Sequence, residues 1–293
     1  HRVGDPEAAG ALPLMACLIE RPTLSQAWTA ALSSTLDAGG RTAHLAVAWR
    51  GMDEDPTIRA AVDRFLGQRR KEYLANRAKR GQWAVWSVET VANTIFPVDL
   101  YLPDKGDAAI EMFTDLYLEG REFARSVSPE GEYCERLVAW PGPDGPVNQL
   151  AVLANKLHRV RDAARGGRGA LSSDYELAFA HPSDSADLRV QAPGLNNSPY
   201  GFPCLSHVSV TIHDGALHLS ALYRNQHLAR KGYGNYLGLA RLGWALAHEA
   251  SLPLGEVLVL ATHADAEVGS ARGFGKGELR VLAASGDLHD AAS

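Results

Sequence analysis

The side chains best suited to chemistry are three cysteines and eleven histidines. Cys17, Cys134 and Cys204 are widely spaced and odd in number, which is not a disulfide framework. No CxxC pair or Cys/His spacing suits zinc, and no metal is expected. His207, His213, His227 and His263 lie in the same third of the chain as Cys204. A Cys/His hydrolase would draw on such a set, yet no nucleophile elbow or family-specific cysteine context accompanies it. A cysteine attacks as its thiolate, and a free thiol titrates at about 8.5, so a cationic neighbour is needed at neutral pH. Taken alone, Cys204 reads as a small buried apolar side chain.

Periodicity predicts the elements that would hold these groups. Leu24, Trp28, Leu32 and Leu36 recur every fourth residue, giving a helix over 24–38 that Asp37-Ala38-Gly39-Gly40 breaks. His44 to Trp49 suits a strand. Residues 57–79 read as an amphipathic helix with Ile58, Val62, Phe65, Leu66 and Tyr73 inward and a basic, solvated outer face. Further helices are expected at 82–95, 107–124 and 148–163, with a proline- and glycine-rich loop over 128–147. Val208, Val210 and Ile212 alternate with polar residues, Asp214-Gly215 turns the chain, and Leu217, Leu219, Ala221 and Tyr223 alternate in reply. That is a β-hairpin. Residues 235–250 are apolar nearly all round, as in a helix buried in a large core, and Val257 to Leu260 is a short buried strand. The order predicts one mixed α/β (α+β) domain over 1–293, built on a large twisted sheet flanked by helices, with 1–23 and 268–293 peripheral.

Composition narrows the function classes. Twenty-nine Lys and Arg against 34 Asp and Glu give a formal charge of −5, which supplies no electrostatic footprint for nucleic acid. No apolar run approaches the ~20 residues that span a bilayer. The start, His1-Arg2-Val3-Gly4-Asp5, lacks the regions of a signal peptide. A reduced, cytoplasmic chain is expected.

Pro203-Cys204 stands at the head of the hairpin, Arg224 follows twenty positions later at its end, and Asn235 lies eleven beyond, entering the buried helix. Gly255 precedes the strand that leads to Thr262-His263-Ala264-Asp265-Ala266-Glu267. In this ungapped register, from Cys204 to Glu267, the chain resembles the thymidylate synthase family. Upstream, Leu36 to Thr42, with Arg41, is similar to the family's phosphate loop, and Ser87-Val88-Glu89-Thr90-Val91 stands where the family carries its catalytic Glu. The resemblance implies a thymidylate synthase-like fold and a homodimer whose sheets pack back to back and share arginines. It also implies transfer of a one-carbon unit to C5 of a pyrimidine nucleotide. C5 is a poor nucleophile until a thiolate adds at C6 and turns the ring into an enolate, a case of covalent catalysis. Cys204 would be that nucleophile. Arg224 would ionise it and clamp a phosphate. The Asn235 carboxamide would read the O4 and N3–H edge of a uracil, or else cap the helix. Glu89 would be the general acid/base, its pKa raised by burial, or else a half-exposed helix residue.

The departures cluster at the folate and sugar positions. His227 replaces the family's folate-binding Asp, and Asn225 replaces its phosphate-binding Ser. Asp265 and Glu267 replace a sugar-binding His and Tyr, where they would accept from a diol. The loop 228–234 carries Arg230 and Lys231 in place of an apolar, glycine-rich run. Gln149-Leu150 to Leu157 is similar to the helix before the family's Arg-Arg strand, but no Arg-Arg pair follows it, leaving Arg165, Arg168 and Arg189 as stand-ins for the shared arginines. Residues 268–293 are polar and expected to be exposed, without the segment that closes over folate in the family. Three readings follow: a C5 one-carbon transferase using 5,10-methylenetetrahydrofolate, a folate-independent Cys204 enzyme acting on another ring, and a binding protein that kept only the fold.

Overall fold

The computed structural model describes residues 17–75, 84–127, 133–142, 144–163, 175–179, 204–269 and 273–286. The chain opens with β1 (Cys17–Glu20), α1 (Leu24–Asp37), β2 (Arg41–Arg50), α2 (Pro56–Ala75) and α3 (Val88–Ile95). Two short 3-10 turns lead to α4 (Ala109–Val127), α5 (Tyr133–Val138), the small β3 (Trp140–Gly142) and β4 (Gly145–Val147), and α6 (Gln149–Ala163). The last part holds β5 (Tyr175–Ala178), β6 (Leu205–His213), β7 (Ala216–Tyr223), β8 (Gln226–His227), a π-turn over Leu228–Gly232, α7 (Tyr233–Glu249), β9 (Leu254–Asp265) and α8 (Lys276–Ala283).

The fold is a mixed α/β arrangement on a large mixed sheet, with strand order β1-β2-β9-β7-β6-β5. The predicted hairpin is β6–β7, antiparallel, with Asp214 and Gly215 at φ 48° and 73° in its turn. β7 and β9 are parallel neighbours, so the chain must cross over between them, and α7 is that crossover. Strand β8 continues the line of β7 along β9: Leu217 to Tyr223 lie beside Leu254 to Ala261, and Gln226 and His227 beside Ala264 and Asp265. Only Arg224 and Asn225 interrupt that line.

Period-2 alternation sorts the two sheet faces. Val47, Trp49, Leu219, Tyr223, Val257 and Val259 point into the core beneath α1 and α7. On the opposite face Leu18, Leu222 and Leu260 stay 73%, 37% and 38% exposed among the described residues. Helix α7 is apolar all round, as its sequence predicts, and 14 of its 17 residues are buried. Gly234 and Gly238 let it press on α3: a Cβ at these positions would lie 2.6 Å from Val91 Cβ and 2.7 Å from the Ala92 carbonyl.

Several boundaries differ from the sequence expectation. The helix expected over 82–95 starts only at Val88, because the Ser87 hydroxyl accepts the Thr90 amide at 3.1 Å and caps it there. The proline-rich stretch 128–147, expected as loop, contains α5 and the β3–β4 ladder. The strand expected at 257–260 runs from 254 to 265. The segment after Glu267 is not an exposed tail throughout. Its α8 docks on α1 and buries Leu279 and Leu282, each of which contributes roughly 1.5–3 kcal/mol. β1, likewise expected to be peripheral, is hydrogen-bonded into the sheet beside β2. Arg77, Lys79, Arg80, Arg165, Arg168, Arg189 and Pro203 lie outside the described residues. Among the described residues no helix is long and apolar enough to cross a membrane.

Candidate active site

Cys204 is half-buried immediately before β6, where its side chain packs against the core. The Arg224 amide donates to the Cys204 carbonyl at 2.9 Å, so the two ends of the hairpin are tied at the predicted pair. The ladder shifts register between Leu205 and His207, an irregularity of the kind that re-aims side chains beside functional sites. Across the β7–β9 crossover the Thr262 hydroxyl holds the Arg224 carbonyl at 2.7 Å.

Two tyrosines that sequence reasoning missed stand beside the thiol. Tyr133, from α5, accepts the Leu205 amide at 3.3 Å. Burial and then the Cys204 thiol push its phenol up, while the Leu205 and Cys204 amides and the Arg224 charge pull it back. Tyr223 is fully buried one residue before Arg224. Burial, followed by Tyr133, Cys204 and Tyr236, raises its phenol well above the ordinary range. Its hydroxyl has no hydrogen-bond partner among the described residues. Hairpin alternation placed Tyr223 inward, and that was the one available signal. Nothing local pointed to Tyr133.

Asn235 sits in the third position of α7 rather than at its cap, so the capping reading falls away. It is 5% exposed. Its neighbour Tyr236 stacks on Trp49 with ring centroids 4.8 Å apart and donates to Gln226 Oε1 at 3.2 Å. Cys204, Arg224, Tyr133, Tyr223, Tyr236 and Gln226 thus gather at the end of β7 and the start of α7, where Asn235 is the residue before Tyr236.

Of its two readings, Glu89 takes the half-exposed helix residue rather than the buried acid/base. Its carboxylate is about half exposed and takes Arg59 at 2.7 Å and Arg241 at 2.8 Å. Partial burial pushes its pKa up, but the two guanidiniums outweigh it and hold the carboxyl below its usual range. Arg59 also binds Glu54 and Asp63, and Arg241 reaches Asn93. This fixed ion cluster disfavours proton uptake at Glu89.

The residues expected at the sugar and phosphate are occupied by one another. Asp265 takes the Glu267 amide at 2.6 Å and the largely exposed Arg41 at 3.1 Å. Glu267 is buried, with its carboxylate on the Arg230 amide at 2.8 Å, on Arg230 Nε at 2.5 Å and beside His227 Nδ1 at 3.3 Å. Burial would raise its pKa, yet His227 and Arg230 bring it below the usual range. Asn225 donates to His227 Nε2 at 3.2 Å and faces His263 Nδ1 at 2.7 Å. The π-turn explains Arg230, which it carries inward from a stretch that reads as a basic loop.

Among the described residues no group of three or more His, Cys, Asp or Glu side chains suits a metal ion. No protein-family model matches the chain, and no curated protein matches it.

Proposed function

We propose that the chain is a divergent transferase of the thymidylate synthase type, adding a methyl or hydroxymethyl group to C5 of a pyrimidine nucleotide through a covalent adduct at Cys204. The observation that carries this reading is the company Cys204 keeps. A half-buried thiol is tied to an arginine residue and neighbours Tyr223, whose buried hydroxyl bonds no described residue. Buried polar groups are normally satisfied, so the Tyr223 hydroxyl is suited to a ligand.

In this reading the Cys204 sulfur forms a bond to C6, and the C5–C6 π electrons move toward C5 and O4. C5 then attacks an electrophilic carbon, loses its hydrogen as a proton, and the S–C6 bond breaks. Arg224 balances the anionic charge, and Asn235 fixes the ring. Glu89, held ionised between Arg59 and Arg241, is left to order that helix rather than to shuttle protons.

Bound methylenetetrahydrofolate would supply a carbon at the formaldehyde oxidation level; a hydroxymethyl product would need only water in place of the departing folate nitrogen, whereas a methyl product would also need a hydride, which the same folate would give on leaving as dihydrofolate. The residues here do not fit its subsite. His227 stands where the family has an Asp, and its ring is engaged by Glu267 and Asn225. That observation favours the second reading, a Cys204 addition to a ring substrate without folate. The sheet face with Leu18, Leu222 and Leu260, exposed among the described residues, supports a back-to-back homodimer, and sedimentation velocity that finds only monomer would count against it. A free nucleophilic thiol also suits a reducing, cytoplasmic setting.

The test uses deoxyuridylate tritiated at C5, with and without methylenetetrahydrofolate. Tritium release that needs the folate supports transfer, and release without it supports the folate-independent enzyme. Cys204→Ser is expected to lower release roughly 10⁴-fold or more, with the melting temperature unchanged. Absence of release in both arms removes the covalent chemistry and leaves a binding protein on this fold.

A further inference from the structure

Gln226 is 1% exposed at the start of β8, two residues after Arg224. Its carbonyl oxygen accepts the Tyr236 hydroxyl, which turns the amide so that Nε2 faces away from Tyr236. That nitrogen is fully buried and has no hydrogen-bond partner among the described residues. Leaving an amide N–H₂ buried and unbonded is costly, and a fold retains such a group where something else completes it. Tyr223 repeats the pattern on the other side of Arg224, with a buried hydroxyl that also lacks a partner among the described residues. Gln226 is joined to Tyr236 by that hydrogen bond, and two residues before it the Arg224 amide donates to the Cys204 carbonyl at 2.9 Å, which sets Gln226 and Tyr223 on either side of the Cys204 tie. Trp49, stacked on Tyr236, fixes the ring that orients the amide.

We infer that Gln226 is a specificity-determining residue of the Cys204 site, donating its amide N–H to a carbonyl oxygen on the ring of the bound substrate, with Tyr236 setting the direction of that donor. The ligand class is therefore an oxo-substituted heterocycle rather than one presenting an amino group at that edge. Tyr223 supplies a second hydrogen-bonding group to the same ligand. The inference rests on the pyrimidine reading above and adds to it the residue that selects among rings.

The experiment is calorimetric binding of deoxyuridylate and deoxycytidylate to the full chain and to two variants. The two ligands differ in a carbonyl against an amino group at C4 and share the carbonyl at C2. Gln226→Glu keeps the shape and the acceptor for Tyr236 but replaces the donor with an oxygen. It is expected to weaken deoxyuridylate roughly 10- to 100-fold. A ring read at C4 shifts the preference toward deoxycytidylate, and a ring read at C2 weakens both ligands alike; either result supports the donor role. Tyr236→Phe leaves Gln226 in place but frees its amide to rotate. It is expected to narrow the ratio of the two affinities, or to lower both if C2 is read, and it decides the matter if Gln226→Glu does not fold. Folded variants that bind both nucleotides as the wild type does overturn the role of Gln226 while leaving the pyrimidine reading intact. A wild-type chain that binds neither nucleotide overturns the pyrimidine reading and this inference with it.

Discussion

At the C-terminal end of α7, Glu249 is buried with both carboxylate oxygens engaged. Tyr101 donates to one at 2.5 Å and His158 meets the other at 2.5 Å, while His248 Nδ1 lies 3.0 Å from the Tyr101 hydroxyl. Near the N-terminal end of the same helix, Gln226 and Tyr223 are as deeply buried, yet each keeps a polar atom without a partner among the described residues. Both clusters sit in one core and pay similar desolvation. They differ in whether the protein itself completes them. A completed network joins elements, here α6, α7 and the turn before α4, and its removal is felt as lost stability. An incomplete one weakens the free protein and is suited to a ligand.

Breaking the completed cluster should give the largest effect. Glu249→Gln would present an amide N–H₂ to either Tyr101 or His158, both of which approach as donors. A loss of about 3 kcal/mol is expected in urea unfolding, with ligand binding per folded molecule unchanged. A binding defect in that variant would mean that the two ends of α7 are not separate in role.

Glu267 sharpens the contrast, because it lies near the Cys204 end yet is satisfied like Glu249. Its folded pKa is below its unfolded value of about 4.3, so its contribution to stability is present above that value and is lost as pH falls through the folded pKa. The unfolding free energy of the wild type should therefore drop more steeply below about pH 4.3 than that of Glu267→Gln, in paired urea titrations. Parallel curves would show that the Arg230 and His227 contacts do not hold in solution.

The smallest effect is also the most direct, since it compares signs. Tyr101→Phe removes a bonded hydroxyl and should cost about 1–2 kcal/mol, whereas Tyr223→Phe removes an unbonded one and should be neutral or stabilising by up to about 1 kcal/mol. If Tyr223→Phe destabilises the free chain as Tyr101→Phe does, then the Tyr223 hydroxyl has a protein partner, and the distinction between the two ends of α7 fails.

Much of the frame was legible from local pattern. The hairpin, its Asp214-Gly215 turn, α1 and the all-apolar α7 appear where spacing put them, because strand alternation and helix periodicity are properties of neighbouring residues. The same locality tied Cys204 to Arg224, since a hairpin brings its two ends together. The misreadings share another origin. The environment of Glu89 is made by Arg59 on α2 and Arg241 on α7, and a helix-borne carboxylate carries no mark of either. The polar end of the chain concealed α8 because two inward leucines make too short a stripe to outweigh its charges.

The sequence by itself determined which residues alternate, where the chain turns, and that one cysteine and one arginine close the same hairpin. These outcomes depend on steric and hydrophobic preferences acting over a few residues. Tertiary structure decided which polar groups are satisfied. Tyr133 comes from 72 residues before the Leu205 amide it accepts, and Glu267 is neutralised by an arginine 37 residues away. Hydrogen bonds and ion pairs act over a few ångströms of space regardless of distance along the chain. Only the folded arrangement therefore separates the carboxylates that the protein has completed from the amide and hydroxyl it has left open.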